Sequence, residues 1–245
     1  GFTVTRAVRD RVELHNEQIS LLVNAEGARM LAEHPSPAVQ PIYRIHPAPD
    51  PAMLTALRGS IDAIVTTHAL PDSPWRWRDP MPLSRYIESL PQSGPSARVS
   101  AAIERQCVLA NLRSEYATVP GLHHGVGVEP YGRFTAPMRE VVGIYLHQET
   151  IEAFLDPARA GAAPSDDEEK LREAVVVSGN RARDVQRRIA DLSNRLVIDR
   201  LFRADLALRE GDRPVRAGTV MGFSGGKVHL TLDEPALDIK LYLKE

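Results

Sequence analysis

Arg139 stands two residues after Pro137 in the run Tyr131-Gly132-Arg133-Phe134-Thr135-Ala136-Pro137-Met138-Arg139-Glu140. An arginine presents a planar fork of N–H donors that stays protonated, which suits it to hold a phosphate where lysine offers only a mobile point charge. Pro137 reads as the start of a long helix running through Phe154. Arg139 would then lie near that helix start, where free backbone N–H groups and the helix dipole add to the attraction for an anion. The plain alternative is a surface arginine paired with Glu140 or Glu129. Tyr131 and Phe134 carry rings that could stack on bases, since stacking tolerates any base, or that could pack the core under the turn. Further along, Arg181, Arg183, Arg187, Arg188, Arg195, Arg200 and Arg203 share a segment with Asp184, Asp191 and Asp199. That segment reads first as a salt-bridged surface helix and second as a basic wall for an anionic polymer.

These residues need elements to position them. Residues 2–5 alternate like a short strand. A helix is expected over 10–34, where Ile19, Leu22, Val23, Met30 and Leu31 can share one face, and prolines at 35 and 37 stop it. Residues 41–47 form a short extended segment. A helix over 50–58 has Asp50 as N-cap and Pro51 in the first turn, and residues 59–80, with Trp75 and Trp77, read as a loop with a short embedded element. Helices are expected over 82–90 and 96–113, an extended stretch over 114–119, and a glycine-punctuated turn and strand over 121–127. After a loop over 157–167 come one long helix or a helix pair over 168–203. Residues 215–223, 227–232 and 238–243 alternate like strands, with Ser224-Gly225-Gly226 as a hairpin turn.

Composition narrows the possibilities. A formal net charge of −2 gives no basic bulk, so any nucleic-acid surface must be a local concentration of arginine. The single cysteine, Cys107, excludes an intrachain disulfide and a cysteine metal cluster, and reads as a small buried hydrophobe in a reducing compartment. No apolar run reaches the roughly 18 residues a membrane span needs, so no membrane partner is expected.

Four blocks in order resemble the ribonuclease II family and its RNB catalytic domain. Asn16-Glu17-Gln18-Ile19-Ser20-Leu21-Leu22-Val23-Asn24-Ala25-Glu26-Gly27-Ala28 resembles the family helix E-E-x-M-x-L-A-N-E-x-V-A. Ile42-Tyr43-Arg44-Ile45-His46-Pro47-Ala48-Pro49 resembles I-Y-R-V-H-x-x-P, and Ser114-Glu115-Tyr116-Ala117 with Leu122-His123-His124-Gly125-Val126-Gly127 resembles, more loosely, A-x-Y-S…G-H-F-G-L. The run at 131–140 resembles Y-x-H-F-T-S-P-I-R-R-Y.

The resemblance implies an α+β fold: the C-terminal part of an RNB-type catalytic domain over 1–205, helices on a mixed sheet, then the incomplete start of an OB-type barrel over 206–245. It implies a cytoplasmic, magnesium-dependent 3′→5′ exoribonuclease acting on single-stranded RNA. Arg139 would grip a phosphate at the cleavage site, and Tyr131, Phe134, His123, Arg133 and Arg44 would be RNA-binding residues. For Asn24 and Glu17 it implies a place facing the groove or capping the sheet, against a plain solvated-helix reading.

The chain also departs from the family. The D-x-x-x-x-x-D-x-D-D-A aspartates that hold magnesium are missing, and Asp166-Asp167-Glu168-Glu169 has helix-start character instead. In R-x-Y-x-D the tyrosine falls at Val141 and the aspartate at Gly143. The histidine of Y-x-H-F is Arg133, and a glutamate that helps expel product would lie near Ala190. The metal ligands are therefore expected in an N-terminal remainder of the same protein. The alternative is a catalytically silent RNB-like module that binds RNA or a protein partner.

Overall fold

The structure is a computed structural model that describes residues 10–110, 113–156, 159, 161–224 and 226–243. The strand expected at 2–5 lies outside these residues. The architecture is α+β. Contacts group the chain into two compact units. One holds helix α1 (Arg11–Ala32), strands β1 (Tyr43–Ile45) and β2 (Glu115–Ala117), and helices α6 (Val141–Leu155) and α7 (Asp166–Leu201). The other holds α2 (Pro51–Thr67), α3 (Asp72–Trp75), α4 (Leu83–Ser89), α5 (Ala97–Ala110), α8 (Arg203–Leu206) and strands β3 (Gly218–Ser224), β4 (Lys227–Leu232) and β5 (Leu237–Tyr242). The sequence boundary at 205/206 differs from this division, because α2 to α5 group with the tail strands.

In the first unit, α1 opens with a capping box: Glu13 N donates to Asp10 Oδ1 at 2.8 Å, and Asp10 N donates to Glu13 Oε2 at 3.2 Å. The helix buries Asn24, Ala28 and Leu31. Of the face expected from sequence, Leu31 is buried, while Ile19, Leu22, Val23 and Met30 are exposed. Spacing alone allows either stripe, and the narrow approach of the 131–135 turn selects the one with small residues: a Cβ at Gly27 would lie 2.7 Å from the Phe134 ring. Strands β1 and β2 are antiparallel, with Arg44 opposite Tyr116. His46 and His123 add a parallel bridge. The mixed sheet expected from sequence is represented in this unit, among the described residues, by a two-stranded antiparallel ladder with one parallel bridge and one antiparallel bridge, His123 to Val128. The core contains Leu31, Ile42, Tyr116, Phe134, Val142, Leu146 and Val175.

The long segment after residue 165 is one helix, not a pair. Its acidic start is a cap: Ser165 N donates to Glu168 Oε2 at 2.7 Å, and Glu168 N to Ser165 Oγ at 3.3 Å. One face of α7, Arg172, Val175, Gly179, Asn180 and Arg183, recurs every three to four residues and meets the sheet. Arg172 Nε donates to Pro41 O at 3.0 Å. Asn180 exchanges two hydrogen bonds with the Tyr116 backbone, at 2.9 and 3.0 Å, taking the place of a ladder partner. A Cβ at Gly179 would meet Val142 Cγ2 at 2.8 Å and Tyr116 Cδ2 at 3.0 Å, so only glycine admits this close approach.

In the second unit, Asp50 caps α2 as expected, accepting from Ala52 N at 2.7 Å. The helix runs to Thr67, through the segment expected to be a loop. Leu57, Ile61 and Val65 are buried one turn apart, and that packing outweighs the local preferences of Gly59 and Ser60. Trp75 and Trp77, expected in the same loop, are core residues with Tyr86, Ile103 and Cys107. Burial pushes the Cys107 thiol up to about 11, so it is an inert hydrophobe as the sequence suggests. The tail forms a three-stranded antiparallel sheet in the order β3-β4-β5, with a bulge between Val220 and Gly222. A closed five-stranded barrel is not formed among the described residues. Gln106 Nε2 on α5 donates to Met221 O at 2.8 Å, which holds β3 on the helix. Among the described residues no helix is long and apolar enough to cross a membrane.

Candidate nucleic-acid interface

The antiparallel register of β1 and β2 sets Arg44 beside Tyr116, and the α7 face carries Arg183 onto the same place. Arg133, Arg139 and Glu140 come from the turn that precedes α6. These residues, with Val141, Val142, Gly179, Ala182 and Gln186, line a cavity of about 450 Å³ within the first unit. Four guanidinium groups thus face one carboxylate, in a chain whose formal net charge is −2.

Each arginine is held differently. Arg44 is half-buried, donates from Nε to Ser114 Oγ at 3.2 Å, and pairs with no carboxylate among the described residues. Burial holds its pKa below the ordinary arginine value, and nearby Arg183 and Arg133 act in the same direction, yet an arginine stays charged at neutral pH. Arg183 donates from Nη2 to Ser114 Oγ at 3.2 Å and from Nη1 to Ser114 O, and lies 5.9 Å from the Tyr116 ring centroid. Arg133 grips Glu140 with both arms of its fork, Nε to Oε2 at 3.1 Å and Nη2 to Oε1 at 2.9 Å. Arg139 is 68% exposed and only 3.5 Å from Glu140, so most of its fork is open.

Glu140 is the hub. Tyr116 donates its hydroxyl to Glu140 Oε2 at 2.9 Å. Burial raises the Glu140 carboxyl, but the Arg133 and Tyr116 hydrogen bonds outweigh that and hold it below the usual carboxylate value. Burial, then the Glu140 charge, pushes the Tyr116 phenol up to about 12, so it remains a donor.

The structure brings together Arg44, Arg133 and Arg139 of the residues expected from sequence. It places the other three behind the cavity. Tyr131 is 4% exposed and Phe134 6%, so neither ring presents a face to a base. Both are fixed by the buried Asn24. Its Nδ2 donates to Tyr131 Oη at 3.1 Å, and its Oδ1 accepts from Phe134 N at 2.7 Å and Thr135 N at 3.2 Å. Asn24 therefore staples the turn to α1; it does not face the groove. His123 is buried beside Tyr131, 4.9 Å between ring centroids, and its Nδ1 has no hydrogen-bond partner among the described residues. Burial, followed by the charges of Arg44 and His46, pushes its pKa down to about 4, so it is neutral at pH 7.

The helix expected to begin at Pro137 begins at Val141, after a turn in which Arg139 N and Glu140 N both donate to Ala136 O. Arg139 thus precedes the helix and does not sit within it. Arg183 and Tyr116 are groove residues that sequence reasoning did not single out for this place. For Arg183 the signal was there: it continues the Val175–Gly179 face by one turn. Arg187, by contrast, forms the expected surface pair with Asp184. A second hollow of about 510 Å³ shares Arg183 and Gln186 with the first and adds Arg113 and Arg187 together with the carboxylates of Glu115 and Asp184.

The donor set decides which ligands fit. Guanidinium groups repel a divalent cation, and Glu140 is engaged by two donors. Among the described residues no group of three or more His, Cys, Asp or Glu is placed to hold a metal. The implied magnesium does not fit the described residues of this cavity. What the cavity fits is a phosphate or other anion with several oxygens.

The fold is RNase R-related. In the comparison with solved structures, the chain superposes on Mycoplasma genitalium RNase R in complex with ribose-methylated single-stranded RNA, with a TM-score of 0.65 and 17% identity over 95% of this chain and 34% of that one. The apo form of the same protein matches with a TM-score of 0.65 and 16% identity over 95% and 34%. Its complex with double-stranded RNA matches with a TM-score of 0.62 and 18% identity over 96% and 39%. The chain therefore spans little more than a third of the length of these proteins, and at such identities the likeness is one of fold. No protein-family model matches the sequence, and no curated protein matches it.

Proposed function

We propose that this chain supplies the RNA-phosphate-binding side of a 3′→5′ exoribonuclease of the ribonuclease II type, acting on single-stranded RNA. The observation that carries this reading is the convergence of Arg44, Arg133, Arg139 and Arg183 on one cavity with a single carboxylate. Three further observations support it: the ordered sequence blocks, the RNase R-related fold, and the fact that the solved neighbours include complexes with RNA. In this reading Arg139, the most exposed fork, receives the phosphate first. Arg44 and Arg183 hold it from the strand and from α7. Hydrolysis would use magnesium bound by carboxylates supplied by the rest of the protein.

One observation favours the alternative of a catalytically silent RNA-binding module. Gly143 stands where the motif has aspartate, and a Cβ there would lie 3.1 Å from the Ala136 carbonyl and 3.2 Å from Arg133 O. A side chain at that position would require the turn to give by a few tenths of an ångström.

Fluorescence anisotropy with a labelled oligouridylate tests the binding role. Arg139→Ala should weaken binding about tenfold, the scale of one charged hydrogen-bonded contact, and lower the slope of log K against log salt by about 0.7. Unchanged affinity and slope would remove Arg139 from the interface. Magnesium-dependent release of nucleotides by the intact gene product separates the two readings, because the silent module binds without cleaving.

A further inference from the structure

Glu140 is the N-cap residue of α6, yet it makes no capping hydrogen bond. An N-cap side chain ordinarily accepts from the first-turn N–H groups. The Glu140 carboxylate instead turns into the arginine cavity. Each of its oxygens takes one arm of the Arg133 fork, at 2.9 and 3.1 Å, and one also takes the Tyr116 hydroxyl at 2.9 Å. Arg139 completes the ring at 3.5 Å. Carboxylate and phosphate present the same two-oxygen edge to a guanidinium fork, so they compete for one place. The Glu140 side chain is 26% exposed at the cavity wall, which leaves it room to leave.

We infer that Glu140 is an internal occupant of the phosphate site: it holds Arg133 and Tyr116 in the free protein and must be displaced before RNA can engage them. This rests on the phosphate-binding reading of the cavity. RNA then meets Arg44 and Arg183, which pair with no carboxylate among the described residues, and Arg139, which touches Glu140 only at 3.5 Å, and it gains Arg133 only by expelling a covalently tethered competitor. Glu140 thereby sets the affinity ceiling of the groove and disfavours weakly charged ligands, which cannot outcompete a carboxylate.

The test compares Glu140→Gln with the wild-type chain in oligouridylate anisotropy over a salt series. The amide keeps the shape and removes the charge. Affinity should rise about tenfold, and the salt slope should steepen by about 0.7 as one more cation becomes available to phosphate. Tyr116→Phe removes one of the carboxylate's donors and should tighten binding about two- to threefold, a fraction of one neutral hydrogen bond; it also reads the inference if Glu140→Gln does not fold. Glu169→Gln, a charge-matched change at an exposed position in the first turn of α7 away from the cavity, should alter affinity less than twofold. Unchanged or weaker binding in Glu140→Gln and Tyr116→Phe overturns the inference, as does an equal gain in Glu169→Gln. A thermal-shift series with inorganic phosphate separates this inference from the RNA reading. If RNA binds neither protein but phosphate raises the melting temperature of Glu140→Gln more than that of wild type, the RNA reading falls and the internal occupant stands. Equal phosphate shifts remove Glu140 from the site.

Discussion

Replacing Asn24 by alanine tests whether one buried amide positions the whole arginine turn. Asn24 is 1% exposed and lies more than 100 residues from its partners in sequence. Its loss leaves two buried groups without partners, the Phe134 N–H and the Tyr131 hydroxyl. Thr135 is exposed and can turn to water. Each orphaned buried group costs about 1–3 kcal/mol, so the first unit should lose about 2–6 kcal/mol. Urea denaturation measures this, with Glu26→Ala as the control. Glu26 sits two residues away on an exposed face, paired with Arg29, and its loss should cost under about 0.5 kcal/mol. Amide hydrogen exchange adds a local reading. The Phe134 amide should lose protection in Asn24→Ala, while the Gly132 amide, which donates to the Asn24 backbone carbonyl, should keep more of it. RNA affinity should fall as well, because Arg133 and Arg139 ride on this turn. A loss below about 1 kcal/mol with Phe134 still protected would refute the claim that Asn24 holds the turn.

Two further outcomes are expected. Gly179→Val forces a side chain into Val142 and Tyr116, and overpacking of this kind costs about 1–3 kcal/mol. Urea denaturation should show that loss, and anisotropy should show weaker RNA binding as α7 withdraws Arg183; unchanged stability would mean the helix does not pack as closely as described. The folded His123 titrates at about 4, below the 6.5 of a free histidine, so between these values the unfolded chain binds a proton that the native state excludes. The neutral-histidine contribution is present above about pH 6.5 and is lost as pH falls toward 4, by at most about 3 kcal/mol. His123→Phe keeps a ring and should flatten stability against pH in that window, as measured by urea midpoints from pH 7 to 4; an identical profile in the variant would contradict the burial of a neutral ring.

Much of the fold was legible wherever local chemistry decides. The alternation at 215–223, 227–232 and 238–243 became β3, β4 and β5, and Asp50–Pro51 started α2 as its capping chemistry requires. Arg44, Arg133 and Arg139 were grouped by what the family resemblance implies, not by their spacing. Tyr131 and Phe134 were harder, because an aromatic ring suits both a base and a core. The same ambiguity hid part of the inward face of α1: Leu31 was placed correctly, but the exposed Ile19 and Leu22 match a helical stripe as well as the buried Asn24 and Ala28 do.

The sequence by itself determined which segments can be helix or strand, that no basic bulk exists, and that arginine is the available means of holding a phosphate. These follow from side-chain type and spacing along one segment. Tertiary structure alone decided that Arg183 joins Arg44 across Tyr116, that Asn24 locks the turn, and that Glu140 sits in the arginine fork. Each of the first two depends on contacts between residues 64 or more positions apart. Glu140 is only seven residues from Arg133, but whether the two meet inside a cavity depends on the strand and helix packed around them. A local pattern limits what a residue can do, and only the packed chain selects which partner it meets.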